Sequence, residues 1–147
     1  LQSLPLVIKL ADTCYVHASA EKPERWTYIT EPKLAASSMK AAQTRFTFSG
    51  HIHDPTLYYS TQRANPEVFY PTPGVPISLS SLRQWLVIVG SVGQPRDGNN
   101  AACYAIMDRR QDQLTYFRVP YDHASAAQKI LAAGLPPSLA QRLEKGH

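Results

Sequence analysis

The stretch Arg45-Phe-Thr-Phe-Ser-Gly-His-Ile-His53 decides how the rest of the chain is read. Residues 45–49 alternate with aromatic side chains, the period of a half-buried strand, and Gly50 marks where the strand enters a tight loop. Two histidines follow, one residue apart. On an extended backbone, side chains two apart point the same way, so His51 and His53 are expected on one side, with Gly50 letting the chain turn closely in front of them. Imidazole is the commonest protein ligand for borderline divalent metals, and strand ends leading into loops are where a rigid scaffold collects ligands. His17 stands in the same position, closing the apolar run Thr13 to Val16. A lone strand-end histidine is more often a surface or hydrogen-bonded residue, and an isolated His-x-His is a weak signal; alone they support a possible metal site. His123 and His147 read as surface residues.

Working outward, Leu6–Leu10 and Thr13–Val16 read as two strands of a hairpin around Ala11-Asp12. A loop carrying Trp26 and Tyr28 precedes a short helix predicted over Leu34–Ala42. Thr56–Ser60 and Val68–Tyr70 read as further strands, and Pro71, Pro73 and Pro76 punctuate a turn. Trp85–Val89 is nearly all apolar, as in a strand covered on both faces. Gly90–Asn100 is a loop. Ala102–Asp108 and Leu114–Val119 form the last strand pair, expected in one sheet with Trp85–Val89. Asp122 can cap a helix whose Ala127, Ile130 and Leu131 stripe is expected on a sheet face, with Gly134 ending it. Pro136-Pro137 separates it from a second helix at Ser138–Glu144. The fold class is α+β: mostly β strands followed by two C-terminal helices. So strand-rich a pattern leaves one sheet face uncovered.

The chain has 147 residues, 44% hydrophobic and 18% charged, enough for the core of one domain. No run approaches the roughly 18 apolar residues of a membrane span. The opening Leu1-Gln-Ser-Leu-Pro-Leu has no basic region or small-residue cleavage site, so a signal peptide is not expected. It begins on Leu1 rather than Met, so the chain is expected to start inside a longer one. A net charge of +4 with scattered Lys and Arg lacks the concentrated patch of a nucleic-acid binder, and no specific nucleic acid is expected. Cys14 and Cys103 each sit in an apolar run and read as buried free thiols of a cytoplasmic protein.

Several segments, taken in order, carry a family resemblance. Phe48-Ser-Gly-His-Ile-His-Asp-Pro-Thr-Leu57 resembles the Gly-His-x-His signature of the calcineurin-like metallophosphoesterases. Tyr15-Val-His17-Ala-Ser19 is similar to that family's preceding His motif, and Pro23-Glu-Arg-Trp26-Thr-Tyr28-Ile29 to its Pro/Trp/Tyr pattern. Val89-Gly-Ser-Val-Gly-Gln-Pro-Arg-Asp-Gly98 resembles a loop of the bacterial members, as do Phe117-Arg-Val-Pro-Tyr-Asp122 and Gly134-Leu-Pro-Pro-Ser-Leu-Ala-Gln-Arg-Leu143. The resemblance implies a layered α/β/β/α sandwich and a dinuclear site, with His17 and His51 on one divalent ion and His53 on the other. In such sites the ions lie about 3.5–4 Å apart, grip one phosphate and activate a water. Mn, Fe, Zn and Ni all suit such ligands.

The same resemblance defines what is missing. The family's earlier motifs, Asp-x-His, Gly-Asp-x-x-Asp and Gly-Asn-His-Glu or -Asp, do not occur in this sequence. Residues 1–147 are therefore expected to be the C-terminal portion of one domain, whose N-terminal half would bring the bridging carboxylate and the other sheet. No catalytic residue beyond the metal ligands is expected here. Ala18 and Ala20 stand where the family usually has Gly and often Pro, and Ile52 replaces the commoner Thr. Arg96 suits a phosphate, since guanidinium matches it bidentately, but an Arg96–Asp97 pair stiffening the turn is the favoured reading. The implied function is metal-dependent hydrolysis of phosphate esters or nucleotide polyphosphates. The alternative is a non-catalytic relative that keeps the fold as an interaction scaffold.

Overall fold

The computed structural model describes residues 3–61 and 64–147. Leu1 and Gln2, which head the stretch read as lacking a leader's features, lie outside them. In chain order the elements are β1 (Val7–Leu10), β2 (Thr13–Val16), α1 (Pro32–Ala42), β3 (Phe46–Ser49), β4 (Thr56–Ser60), β5 (Glu67–Phe69), β6 (Ile77–Ser78), β7 (Gln84–Ile88), β8 (Ala102–Asp108), β9 (Gln113–Val119), α2 (His123–Ala132) and α3 (Pro137–Lys145). Helix α1 starts two residues before the Leu34 expected. Pro32 explains the difference: its fixed φ and missing N–H suit the first helical turn.

Six strands form a mixed sheet in the order β1–β2–β3–β7–β4–β5, and β6–β9–β8 form a second, antiparallel sheet. Strands β2, β3 and β7 run parallel to one another, so their carboxyl ends share one edge. The two sheets face each other across a core of Phe46, Leu57, Trp85 and Val87 against Leu79, Cys103, Leu114 and Tyr116. Helix α1 covers the opposite face of the six-stranded sheet, where Ala35 and Met39 pack with Tyr58, Leu86 and Ile88. The result is a layered α+β fold with two helices at its C-terminal end.

Three expectations are corrected. Trp85–Val89 and Ala102–Met107 fall in different sheets: Gly90, at φ 81°, turns the chain out of β7, and the loop that follows carries it across to β8. The facing layer over the middle of the large sheet therefore comes from this chain. The stripe on α2 does not lie on a sheet. The turn after α2 folds α3 back along it, and the two helices pack mainly on each other, burying Ala127, Ala140 and Leu143 while Leu131 stays half exposed. Finally, the proline-rich turn leads into the two-residue strand β6, too short to carry a legible alternation.

Uncovered apolar surface remains at the β1–β2 flank. Leu6, Ile8, Tyr15, Phe48 and Trp26 line an open cavity of about 750 Å³ there. No helix among the described residues is long and apolar enough to cross a membrane.

Candidate functional site

The parallel strands set the site. His17 leaves β2, His51 and His53 leave β3, and the loop from Val89 leaves β7, all at the shared carboxyl-end edge, where open α/β sheets place their ligands. Gly50 donates its backbone N–H to the His17 carbonyl at 3.0 Å, tying the first two exits together. The Ser49 hydroxyl donates to the Ala18 carbonyl at 2.7 Å beside them. His17, His51 and His53 all line one cleft of about 390 Å³, together with Gly90, Ser91, Cys103 and Tyr104.

The local backbone differs from the extended form expected of His51-Ile-His53. Both histidines adopt left-handed conformations, with φ 61° and 64°. Each such non-glycine residue costs about 1–2 kcal/mol, and such strain gathers at functional sites. Nor is Gly50 the residue that sterics demand, since a Cβ there would meet the His17 carbonyl at an ordinary 3.6 Å. Gly90 is: at φ 81° a Cβ would lie 2.7 Å from the Cys103 sulfur. The cleft is brought to its shape by strain at the histidines and by a glycine on the facing loop.

His17 Nε2 and His51 Nδ1 lie 2.9 Å apart, one donating to the other. Two imidazole nitrogens this close are either a hydrogen-bonded pair or two groups ready to share one cation. His53 is oriented separately, its Nδ1–H donating to the Gln94 carbonyl at 2.8 Å. That bond fixes the tautomer and leaves Nε2 with its lone pair, the usual outer-shell arrangement of a metal-ligating histidine. Burial, then the neighbouring His17, His53 and Arg96 charges, hold the His51 imidazole below its ordinary pKa. Burial also lowers His53, with Arg96 and His17 adding to it against the Gln94 hydrogen bond. Both rings are thus biased toward the neutral form that ligation requires.

Around them stands an aromatic wall that the sequence reading did not weigh. Tyr28 stacks on His51 at 4.1 Å between ring centroids, and Trp26, itself left-handed at φ 52°, lies 4.4 Å from His17 and 5.5 Å from His51. The Trp26 and Tyr28 motif was visible in the sequence, but its contact with His51 depends on where the loop after β2 returns. Gln94 was also missed, because its contribution is a backbone carbonyl that no residue type announces. Arg96 is exposed and does not line the cleft; its guanidinium donates to the Gln94 side chain at 3.3 Å. The expected Arg96–Asp97 pair is not formed. Asp97 pairs instead with Arg118 of β9, which leaves the Arg96 guanidinium free of a carboxylate among the described ion pairs.

No protein-family model matches the chain. The uncharacterized protein MJ0912 of Methanocaldococcus jannaschii is 33% identical to it over 150 residues, which cover 99% of this chain and 58% of that protein. The crystal structure of a metallophosphoesterase from Sphaerobacter thermophilus matches with a TM-score of 0.87 and 34% identity, over 99% of this chain and 60% of the other. The fold is that of a metallophosphoesterase. The hypothetical protein PH1004 of Pyrococcus horikoshii shares it at a TM-score of 0.69 and 16% identity, a likeness of fold alone, with 52% of that chain covered. This metallophosphoesterase-fold chain therefore spans between half and three-fifths of the length of the proteins it resembles.

The donor set fits a divalent metal in kind and falls short in number. Three imidazoles face one cleft, and His53 has a free ring nitrogen. Yet among the described residues no group of three His, Cys, Asp or Glu side chains is placed to hold one ion. Asp54, next to His53, has its carboxyl pushed up by burial against the pull of Arg118.

Proposed function

We propose that this metallophosphoesterase-fold chain contributes His17, His51 and His53 to a site that hydrolyses phosphate esters with two divalent ions. His17 and His51 would hold one ion and His53 the other, with Mn, Fe, Zn or Ni as candidates. When bound, such ions supply charge neutralisation at the phosphate and a water acidic enough to attack near neutral pH. The observation that carries the reading is the pairing of His17 Nε2 and His51 Nδ1 at 2.9 Å, with the Gln94-oriented His53 on the same cleft.

The chain's own residues then have distinct tasks. The Gln94 carbonyl keeps the proton on His53 Nδ1 and so keeps Nε2 available. Tyr28 holds the plane of the His51 ring by stacking on it. Arg96 offers an unpaired guanidinium beside the cleft for a phosphate oxygen of an ester or a nucleotide polyphosphate. The carboxylates that balance the metal charge would come from the part of the relatives' length that this chain does not span. The open apolar flank at Ile8 and Tyr15 is the seat assigned to that remaining half.

A protein spanning the relatives' full length should hydrolyse a chromogenic phosphate ester when Mn²⁺ or a similar ion is supplied. Residues 1–147 alone should hydrolyse it negligibly. In the longer protein His51→Ala or His53→Ala should lower kcat/KM by about 100-fold or more and reduce bound metal, whereas Lys129→Ala on α2 should leave both unchanged. Full activity in the His51 and His53 variants would defeat the reading. A folded longer protein that binds no ion and turns nothing over would favour the interaction scaffold.

A further inference from the structure

One loop touches both the cleft and the C-terminal helices. At one end Gln94 accepts from His53 Nδ1, and the Arg96 N–H donates to the His53 carbonyl at 3.3 Å. At the other end the Gly98 N–H donates to the Gly146 carbonyl, just past α3, at 2.9 Å. Asn100 Nδ2 lies 3.0 Å from His123 Nε2, at the start of α2, and donates to the Glu144 carbonyl of α3 at 3.2 Å. Between these ends Pro95 is fully buried, and Arg118 grips the loop from β9 through Asp97 and the Ala101 carbonyl. Gly146 is packed so closely that a Cβ would stand 2.8 Å from the Asn99 nitrogen, at a φ of 69°.

No strand packs extensively on either helix, since α2 and α3 pack mainly on each other. Apart from the chain link to β9 at residues 120–122, the hydrogen bonds that tie this helical unit to the body among the described residues run to Gly98 and Asn100 of that loop. We infer that residues 91–101 act as a strut through which the α2–α3 hairpin sets the orientation of His53 and the reach of Arg96. Gly146 and Asn100 are accordingly positioning residues for the cleft, although neither lines it. The consequence for hydrolysis rests on the reading above; the coupling itself does not.

The test reads the cleft without turnover. In the unaltered chain, long-range ¹H–¹⁵N spectra should show His53 as a single Nδ1-protonated tautomer, and the hydrogen-bonded amides of Arg96 and Gly98 should be protected from hydrogen exchange. Gly146→Val forces a side chain against the Asn99 backbone, and Asn100→Ala removes two polar contacts without a clash. Each should mix the His53 tautomers and speed exchange at Arg96 and Gly98 by about tenfold or more, while the His17–His51 pair keeps its spectrum. Lys129→Ala should change none of these. If Gly146→Val fails to fold, Asn100→Ala decides. Unchanged His53 signals and loop protection, with α2 and α3 alone disturbed, would overturn the strut. Loss of hydrolysis in every form of the longer protein would defeat the proposed function and leave the strut standing.

Discussion

One row of side chains crosses the large sheet in register: Ile8, Tyr15, Phe48, Val87, Leu57 and Phe69. All are apolar or aromatic and all point to the same face, yet Val87 and Leu57 are 0% exposed while Ile8 and Tyr15 are 43% and 45% exposed and Phe69, at the far edge, is 43% exposed. The difference is not in the residues but in what lies over them. The three-stranded sheet covers the middle of the row and stops short of β2. An apolar face continuing past its own cover makes a poor surface for water, since large apolar patches mark places where something else docks. The covered half explains why the chain has a core of its own; the open flank is the surface the proposal above gives to the part that the longer relatives have in addition.

The strongest way to break this comparison is to truncate the covered half. Leu57→Ala removes a fully buried side chain from the inter-sheet core and should cost about 2–5 kcal/mol, measured by urea unfolding. A cost below about 1 kcal/mol would mean that the two sheets are not packed as described. The thiols give a smaller effect within the same contrast. Cys14 lies on the edge-proximal strand β2 with its side chain on the α1 side of the sheet, Cys103 lies on β8 in the inter-sheet core, and neither is accessible in the folded state. Fraying of the β1–β2 edge exposes Cys14 without opening the core, so a thiol reagent at pH 8 should label it about tenfold faster than Cys103. Burial pushes the Cys103 thiol up to about 11 from an ordinary 9.0. Because the folded state holds that proton more tightly, the associated stability is fully present below about pH 9 and is lost as pH rises toward 11. Equal labelling rates would show that flank and core open together.

Much of this was legible beforehand because it was local. The strands at 13–16, 56–60 and 102–108 follow from alternation and β-branched or aromatic residues, and Asp122 caps α2 by accepting from the Ser125 N–H as its residue type predicts. The three histidines were legible as strand-end residues. What was not legible depends on contacts between distant segments. Asp97 pairs with Arg118, 21 residues on, rather than its neighbour Arg96, because β9 runs beneath the loop. Helix α2 packs on α3 rather than on a sheet because the turn between them is tight, a choice that periodicity alone does not make. The left-handed turn at His51 and His53 contradicts the extended backbone that an alternating strand suggests, since the strand ends at Ser49. Sequence pattern locates such residues better than it aims them.

The smallest effect sharpens the comparison most. Ile8 sits in the same sheet row as Leu57 and is as apolar, but it is already nearly half in water. Ile8→Ser in residues 1–147 should therefore change stability by no more than about 0.5 kcal/mol, the range of surface substitutions. Its effect should grow once the remaining half of the longer protein is present, because the side chain would then leave water: burying a whole Ile contributes about 1.5–3 kcal/mol, of which roughly half is still to be gained here. Urea unfolding of Ile8→Ser in both contexts measures the difference directly. A cost near zero in the short chain and about 1 kcal/mol in the long one would identify the flank as an unfinished interface. The same small cost in both would mean that the apolar row ends in solvent in a protein of the relatives' full length as well, and that the additional part packs elsewhere.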